Sequence, residues 1–254
     1  MPDSPSAAPP KSKILETGIS ATSYEETCRL IAEWGLAGRR AYVTACNVHS
    51  VMEAHKDPSF AQVLNGAAIA TPDGMPLVWT LRRRGRKEQK RVYGPDLLLH
   101  FAGFAAGRDD LASYFYGGAD GVAAELGARL QKRFPGFHVA GAESPPFREL
   151  TPGEDAEVVA RVNDSGAAVL WVGLGCPKQE RWMHAHRESI RPVMVGVGAA
   201  FDFLTGRARQ APRWMMRCGL EWLFRLATEP RRLWRRYLLN NPHFLWHVLL
   251  RPKG

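Results

Sequence analysis

"AAVLWVGLGCPKQERWMHAHRE" runs from Ala167 to Glu188. As far as Gly175 it is a nearly unbroken apolar run containing Val, Leu and Trp, closed by two glycines. From Lys178 onward its charged and apolar residues recur at helical spacing. A short continuous apolar run leading through Gly and Pro into a helix is the signature of a strand buried on both faces. The same unit recurs along the chain. "AYVTA" (41–45), "AAIA" (67–70), "ASYFYGG" (112–118), "FHVAGA" (137–142) and "VMVGVGA" (193–199) read as further strands. "YEETCRLIAEWG", "VHSVMEAHK", "MPLVWTLRRR", "ADGVAAELGARLQKRF" and "GEDAEVVARVNDSG" read as helices between them. The expected fold is therefore α/β, a mostly parallel sheet with helices on both faces.

Ligands of such sheets bind at the carboxyl ends of strands. Three ends carry suitable chemistry. In "GLGCPKQE", Gly175 precedes a helix whose first turn holds Lys178 and Gln179, with Pro177 suited to its start. A lysine there opposes the helix dipole, which makes sense if it meets an anion; a solvated first turn is the plain alternative. In "TACN", Thr44 and Asn47 can hydrogen-bond a sugar, although Asn47 is also well placed to cap the next helix. In "TPDG", Asp73 follows a strand and precedes a helix with Pro76 in its first turn. Asp73 reads as a turn or cap residue, a metal ligand, or a base. No D-x-D or H-x-x-x-H lies near it, which argues against the metal. Gly117 and Gly118 in "GGADG" offer bare amides to a diphosphate or sugar as a helix begins near Ala119. Their spacing is not the G-x-G-x-x-G of a dinucleotide site, so an oxidoreductase is a weak rival.

The chain of 254 residues carries a net charge of +9 and has 45% hydrophobic residues. From Arg213 to the end there are eight Arg and one Lys against two Glu, and four of the eight Trp. Most of the charge thus lies in a Trp-rich final segment. Such a segment suits an anionic membrane surface better than nucleic acid, which no motif supports. The four cysteines have no C-x-x-C spacing and are expected to be buried free thiols. "MPDSPSAAPPKSK" lacks an apolar core and reads as a disordered tail over residues 1–13 rather than a signal peptide. No stretch reaches the length of a membrane span. The divisions expected are the tail, a catalytic domain over 14–206 and a helical appendage over 207–254.

"TPDGMPLVW", "RVYGPDL", "GLGCPKQERW", "GVGAAFDFLTGRARQAPRWM" and "GLEWLFRLATEPRRLWRRYLLNNPHFL" occur in this order between about Ala41 and Leu245. Together they resemble the WecG/TagA/CpsF glycosyltransferases, glycosyltransferase family 26. The resemblance implies a Rossmann-like domain with a membrane-touching appendage. It implies inverting transfer of a hexose or N-acetylhexosamine-type sugar from a UDP-sugar to a polyprenyl-diphosphate-linked sugar, at the cytoplasmic membrane face, in surface, teichoic-acid or exopolysaccharide synthesis. It implies no cofactor and no metal, and it allows self-association into a homo-oligomer. Carried over by motif, Asp73 is the base, and Thr44, Asn47, Arg91 and Gln179 contact substrate. Arg91 and Lys178 are then candidates for the diphosphate, and the appendage arginines Arg225, Arg231, Arg232, Arg235 and Arg236 for the diphosphate or for lipid.

Overall fold

Six parallel strands form one sheet in the computed structural model, which describes residues 6–250. The chain begins with a hairpin of β1 (Lys11–Ile14) and β2 (Thr17–Ser20), followed by α1 (Tyr24–Leu36). Next come β3 (Tyr42–Cys46), α2 (Val48–Lys56), α3 (Pro58–Gly66), β4 (Ile69–Pro72) and α4 (Met75–Arg83). α5 (Gly94–Ala105) crosses to β5 (Ser113–Gly117), α6 (Val122–Arg133), β6 (Val139–Glu143) and α7 (Pro152–Asp164). β7 (Val169–Gly173), α8 (Lys178–Ala185), β8 (Val193–Gly196) and α9 (Ala200–Thr205) complete the sheet layers. α10 (Arg213–Arg217), α11 (Glu221–Thr228) and α12 (Pro230–Leu245) follow.

The sheet order is β4-β3-β8-β7-β5-β6. Successive side chains of a strand point to opposite faces, and the apolar runs fill both. Val43, Ile69, Phe115, Val169, Trp171 and Val195 pack with α1, α5, α6 and α9 on one face. Tyr42, Tyr114, Tyr116, Leu170, Val172 and Met194 pack with α7 and α8 on the other. β5 therefore leads into a helix on one face and its neighbour β7 into a helix on the opposite face. The chain parts between their carboxyl ends, the place where an open sheet leaves a crevice.

Two expectations are corrected. Residues 11–13 are not a disordered tail but most of β1. Ile14 and Ile19 of the hairpin are buried, Lys11 Nζ donates to the carbonyl of Ala67 at 2.5 Å, and the Gly18 amide donates to Asn65 Oδ1 at 2.8 Å. Earlier still, Ser6 O accepts from Trp34 Nε1 at 2.9 Å. Residues 1–5 lie outside the described residues. Of the cysteines, Cys28 and Cys46 are buried as expected, whereas Cys176 is half-buried and Cys218 exposed; none is in a disulfide among the described residues.

α12 seats the appendage on the body. Leu233, Asn240 and Phe244 are buried, and Phe244 joins the cluster of Val48, Val51 and Met52 from α2. Lys56 Nζ donates to Asn240 Oδ1 at 2.8 Å. Among the described residues no helix is long and apolar enough to cross a membrane.

Candidate active site

β4 ends at Pro72, and the next two amides fix the turn. Asp73 N and Gly74 N both donate to Cys46 O, at 2.8 and 3.3 Å, which ties the turn to the end of β3. Gly74, not Asp73, is the N-cap of α4, and no side chain caps it. The Asp73 carboxylate is thereby left for another partner. That partner comes from the "RVYG" segment, clamped beside β4 where Val92 N donates to Pro72 O at 3.1 Å and Thr71 Oγ1 to Val92 O at 3.1 Å. Arg91 Nη2 donates to Asp73 Oδ1 at 2.9 Å and to Glu221 Oε2 at 2.6 Å. Arg91 Nε donates to the Asp73 carbonyl, and the guanidinium lies 4.1 Å over the Tyr93 ring.

The three charged side chains are only 13 to 17% exposed. Burial raises the Asp73 carboxyl above its ordinary value; Arg91 pulls it back and Glu221 pushes it up again. Burial likewise opposes the charge on Arg91, but Asp73 and Glu221 outweigh it and hold Arg91 above its ordinary value. One cation between two anions leaves this cluster with one net negative charge.

Asp73 faces a cavity of ≈ 520 Å³, of the size that holds a small-molecule substrate. Strand ends form one wall, with Asn47, Gly118, Gly175 and Lys178. The appendage forms the other, with Glu221, Arg225, Arg232 and Tyr237. Asn47 is also the cap that its position suggests: its Oδ1 accepts from His49 N at 3.0 Å and Ser50 N at 3.3 Å. Lys178 is exposed, and among the described residues no carboxylate pairs with it within 4.0 Å. Arg225 is mostly covered; its Nη2 lies 3.8 Å from Glu229, and among the described residues its buried Nε has no partner. An unmet guanidinium N–H at a cavity wall is a place for an anion's oxygen.

Several expected contacts fall elsewhere. Thr44 is fully buried beneath the cavity and donates to Glu180 Oε1 at 3.2 Å. Gln179 lines the cavity, yet both ends of its amide are engaged: Nε2 donates to Glu180 Oε1 at 2.8 Å and Oε1 accepts from Gly198 N at 3.0 Å. Gly117 serves packing, since at φ 137° a Cβ there would lie 2.6 Å from the Gly173 carbonyl. Its helix begins at Val122 rather than near Ala119. Arg91 is shared by two carboxylates and is not a spare cation for a diphosphate. Arg231 and Arg235 are exposed and do not line the cavity, in contrast to Arg225 and Arg232. Arg236 lies on α12 with its side chain outside the described residues.

Glu221 and Tyr93 are the residues that sequence reasoning missed. Glu221 stood inside a quoted motif. The signal was its sign: it is one of two acids in an otherwise basic segment.

The family model described as "Glycosyl transferase WecG/TagA/CpsF family" matches residues 12–253. A protein of Bacillus spizizenii (strain ATCC 23059 / NRRL B-14472 / W23), named N-acetylglucosaminyldiphosphoundecaprenol N-acetyl-beta-D-mannosaminyltransferase, is 32% identical over 210 residues. That match covers 82% of this chain and 79% of the relative. A Bacillus subtilis (strain 168) protein of the same name is 29% identical over 215 residues, covering 84% and 81%.

Proposed function

The chain belongs to the WecG/TagA/CpsF glycosyltransferase family, and from that premise we propose that it transfers an N-acetylmannosamine-type sugar, with inversion, from a UDP-sugar to a polyprenyl-diphosphate-linked sugar. The donor and acceptor classes follow the names of the relatives. The observation that carries the reading is the position of Asp73: a carboxylate at a strand end, opening on a cavity whose opposite wall presents Arg225 and Arg232. As the acceptor oxygen bonds to the anomeric carbon, its proton passes to Asp73. The bond from that carbon to the diphosphate breaks, and UDP leaves with the electron pair. A positioned base is typically worth ~10²–10⁴-fold. Lys178, Arg225 and Arg232 meet the charge that develops on the diphosphate, in a cavity where fixed cations act strongly. Asn47 holds its helix through Oδ1 and turns its remaining amide to a sugar hydroxyl. No metal is required in this scheme, because Lys178, Arg225 and Arg232 supply the positive charge that the diphosphate needs. The protein works as a peripheral enzyme on the inner face of the membrane, with the appendage against lipid. The weak dinucleotide reading of "GGADG" is set aside, since Gly117 is spent on packing against Gly173.

The test is release of UDP from UDP-N-acetylmannosamine in the presence of a lipid-diphosphate N-acetylglucosamine acceptor. Release is expected to need both substrates, to persist in EDTA, and to fall about 100-fold or more in Asp73→Asn. Near-parental turnover in that variant refutes the base; a strict divalent-cation requirement refutes the metal-free scheme.

A further inference from the structure

Glu221 reaches the catalytic cluster from the appendage, whereas Asp73 and Arg91 belong to the body. All the freedom of the guanidinium but one is already taken. Its Nε is held by the Asp73 carbonyl, and its flat face lies on Tyr93. What remains is how Nη2 is divided. It carries two N–H groups and serves one carboxylate with each, at 2.9 Å to Asp73 and at 2.6 Å to Glu221. We infer that Glu221 is a positioning residue that draws Arg91 away from Asp73, so that seating the appendage leaves the body's carboxylate less neutralised.

The seat of Glu221 is built rather than incidental. It is the first residue of α11, where a carboxylate suits the helix dipole. The turn before it presses on α4: at Gly219, with φ 73°, a Cβ would lie 2.7 Å from Trp79 and 3.2 Å from Met75 Cβ. Leu220 N donates to Met215 O at 2.8 Å, which closes the same turn. Around Asp73 the other groups are Tyr24 from α1, Cys46 from β3, Tyr93 and Arg91 from the returning segment, and the Gly94 amide. Among them only Arg91 is a cation, and Glu221 is the anion set against it. With Glu221 in place the cluster keeps one net negative charge, and Asp73 holds a proton more readily. Without it Arg91 belongs wholly to Asp73, and the carboxylate becomes a weaker base. The catalytic consequence rests on the reading of Asp73 as the base; the sharing of Arg91 does not.

Full-length protein with ¹³C-carboxyl-labelled aspartate follows Asp73 directly, Asp73→Asn supplying the assignment. Glu221→Gln is expected to move the Asp73 titration midpoint down by about one pH unit, a tenfold change in its acidity. Glu221→Asp is expected to restore most of that shift. In turnover, the acid limb of kcat moves down by the same amount and its plateau falls severalfold, while the donor KM stays within about twofold. An Asp73 midpoint in Glu221→Gln that matches the parent overturns the inference, whatever the turnover. If Asp73→Asn retains turnover while the midpoint still moves, the base reading fails and the sharing of Arg91 stands.

Discussion

Asp73 is asked to be charged in a place where charge is costly. Burial is the main reason its carboxyl stands above 3.8, and the partial pairing with Arg91 does not cancel it. That has a stability consequence whose sign is fixed by linkage. Below the unfolded value both states are protonated and the group is neutral to folding. As pH rises from there to the folded value, the native state keeps a proton that the unfolded state has released, so stability falls. Above the folded value the whole penalty remains. Asp73→Asn removes it, while Arg91 keeps Glu221 as its partner. The variant is therefore expected to melt at or above the parental temperature at pH 7, with the difference closing towards pH 4, measured by scanning calorimetry. A variant clearly less stable at pH 7 would mean that the Arg91 pairing outweighs burial. A buried carboxylate that destabilises its own fold is the kind of cost an active site commonly carries. The place of Asp73, at a strand end facing the cavity, was legible because turn chemistry, strand end and neighbouring motifs agreed. Thr44 was not: a strand alternates its faces residue by residue, and one position decides whether a hydroxyl meets the cavity or, as here, a buried Glu180.

Elements were easiest to read where the apolar period was clean. All six strands of the sheet lie within or beside the continuous apolar runs. The helices left unread explain themselves. "GPDLLLHFAGFA" of α5 is apolar nearly all round and so has no face to detect. "PSFAQVLNG" of α3 is nine residues long, begun by Pro58 and capped by Asp57, and resembles a loop by composition. The hairpin of β1 and β2 sits just after a Pro-rich stretch and shows too few alternations to register. The joint between α8 and the turn after β8 was visible only in three dimensions. Gln179 closes it, taking the Gly198 amide and giving to Glu180, with all its partners on the body. Gln179→Ala leaves the half-buried Gly198 amide unmet and takes one of two donors from Glu180 Oε1, at about 1–3 kcal/mol. For a chain of this size that is a drop of several degrees in Tm. A residue whose only work was to touch substrate would instead leave Tm unchanged and raise KM.

At the scale of the whole molecule, charge and apolar surface meet on the outer side of α12. α12 buries Leu233, Asn240 and Phe244 against the body. At about 3.6 residues per turn, the opposite side of that helix carries Arg231, Arg235, Leu238 and Leu239. Trp234, Leu238, Leu239, Leu245 and Trp246 are all exposed, as is Trp214 in α10. Aromatic and aliphatic side chains set among arginines suit the headgroup boundary of a bilayer. Each basic residue near an anionic leaflet is worth ~1 kcal/mol. The segment from Arg213 onward carries seven of the chain's nine net positive charges. Attraction of several kcal/mol is therefore expected, screened by salt. The arginines divide by position: Arg231 and Arg235 are exposed and are expected to serve lipid, whereas Arg225 and Arg232 line the cavity. Vesicle flotation separates the two sets. The parent is expected to float with vesicles containing anionic lipid, less so at 0.5 M salt, and weakly with neutral vesicles. Leu238→Glu combined with Leu239→Glu is expected to abolish flotation and to slow transfer to a vesicle-borne acceptor, while a short-chain, water-soluble acceptor is still used. Arg225→Ala is expected to do the reverse, floating as the parent does while turnover falls with both acceptors. Parental flotation of the double variant would mean that this face of α12 does not meet the membrane.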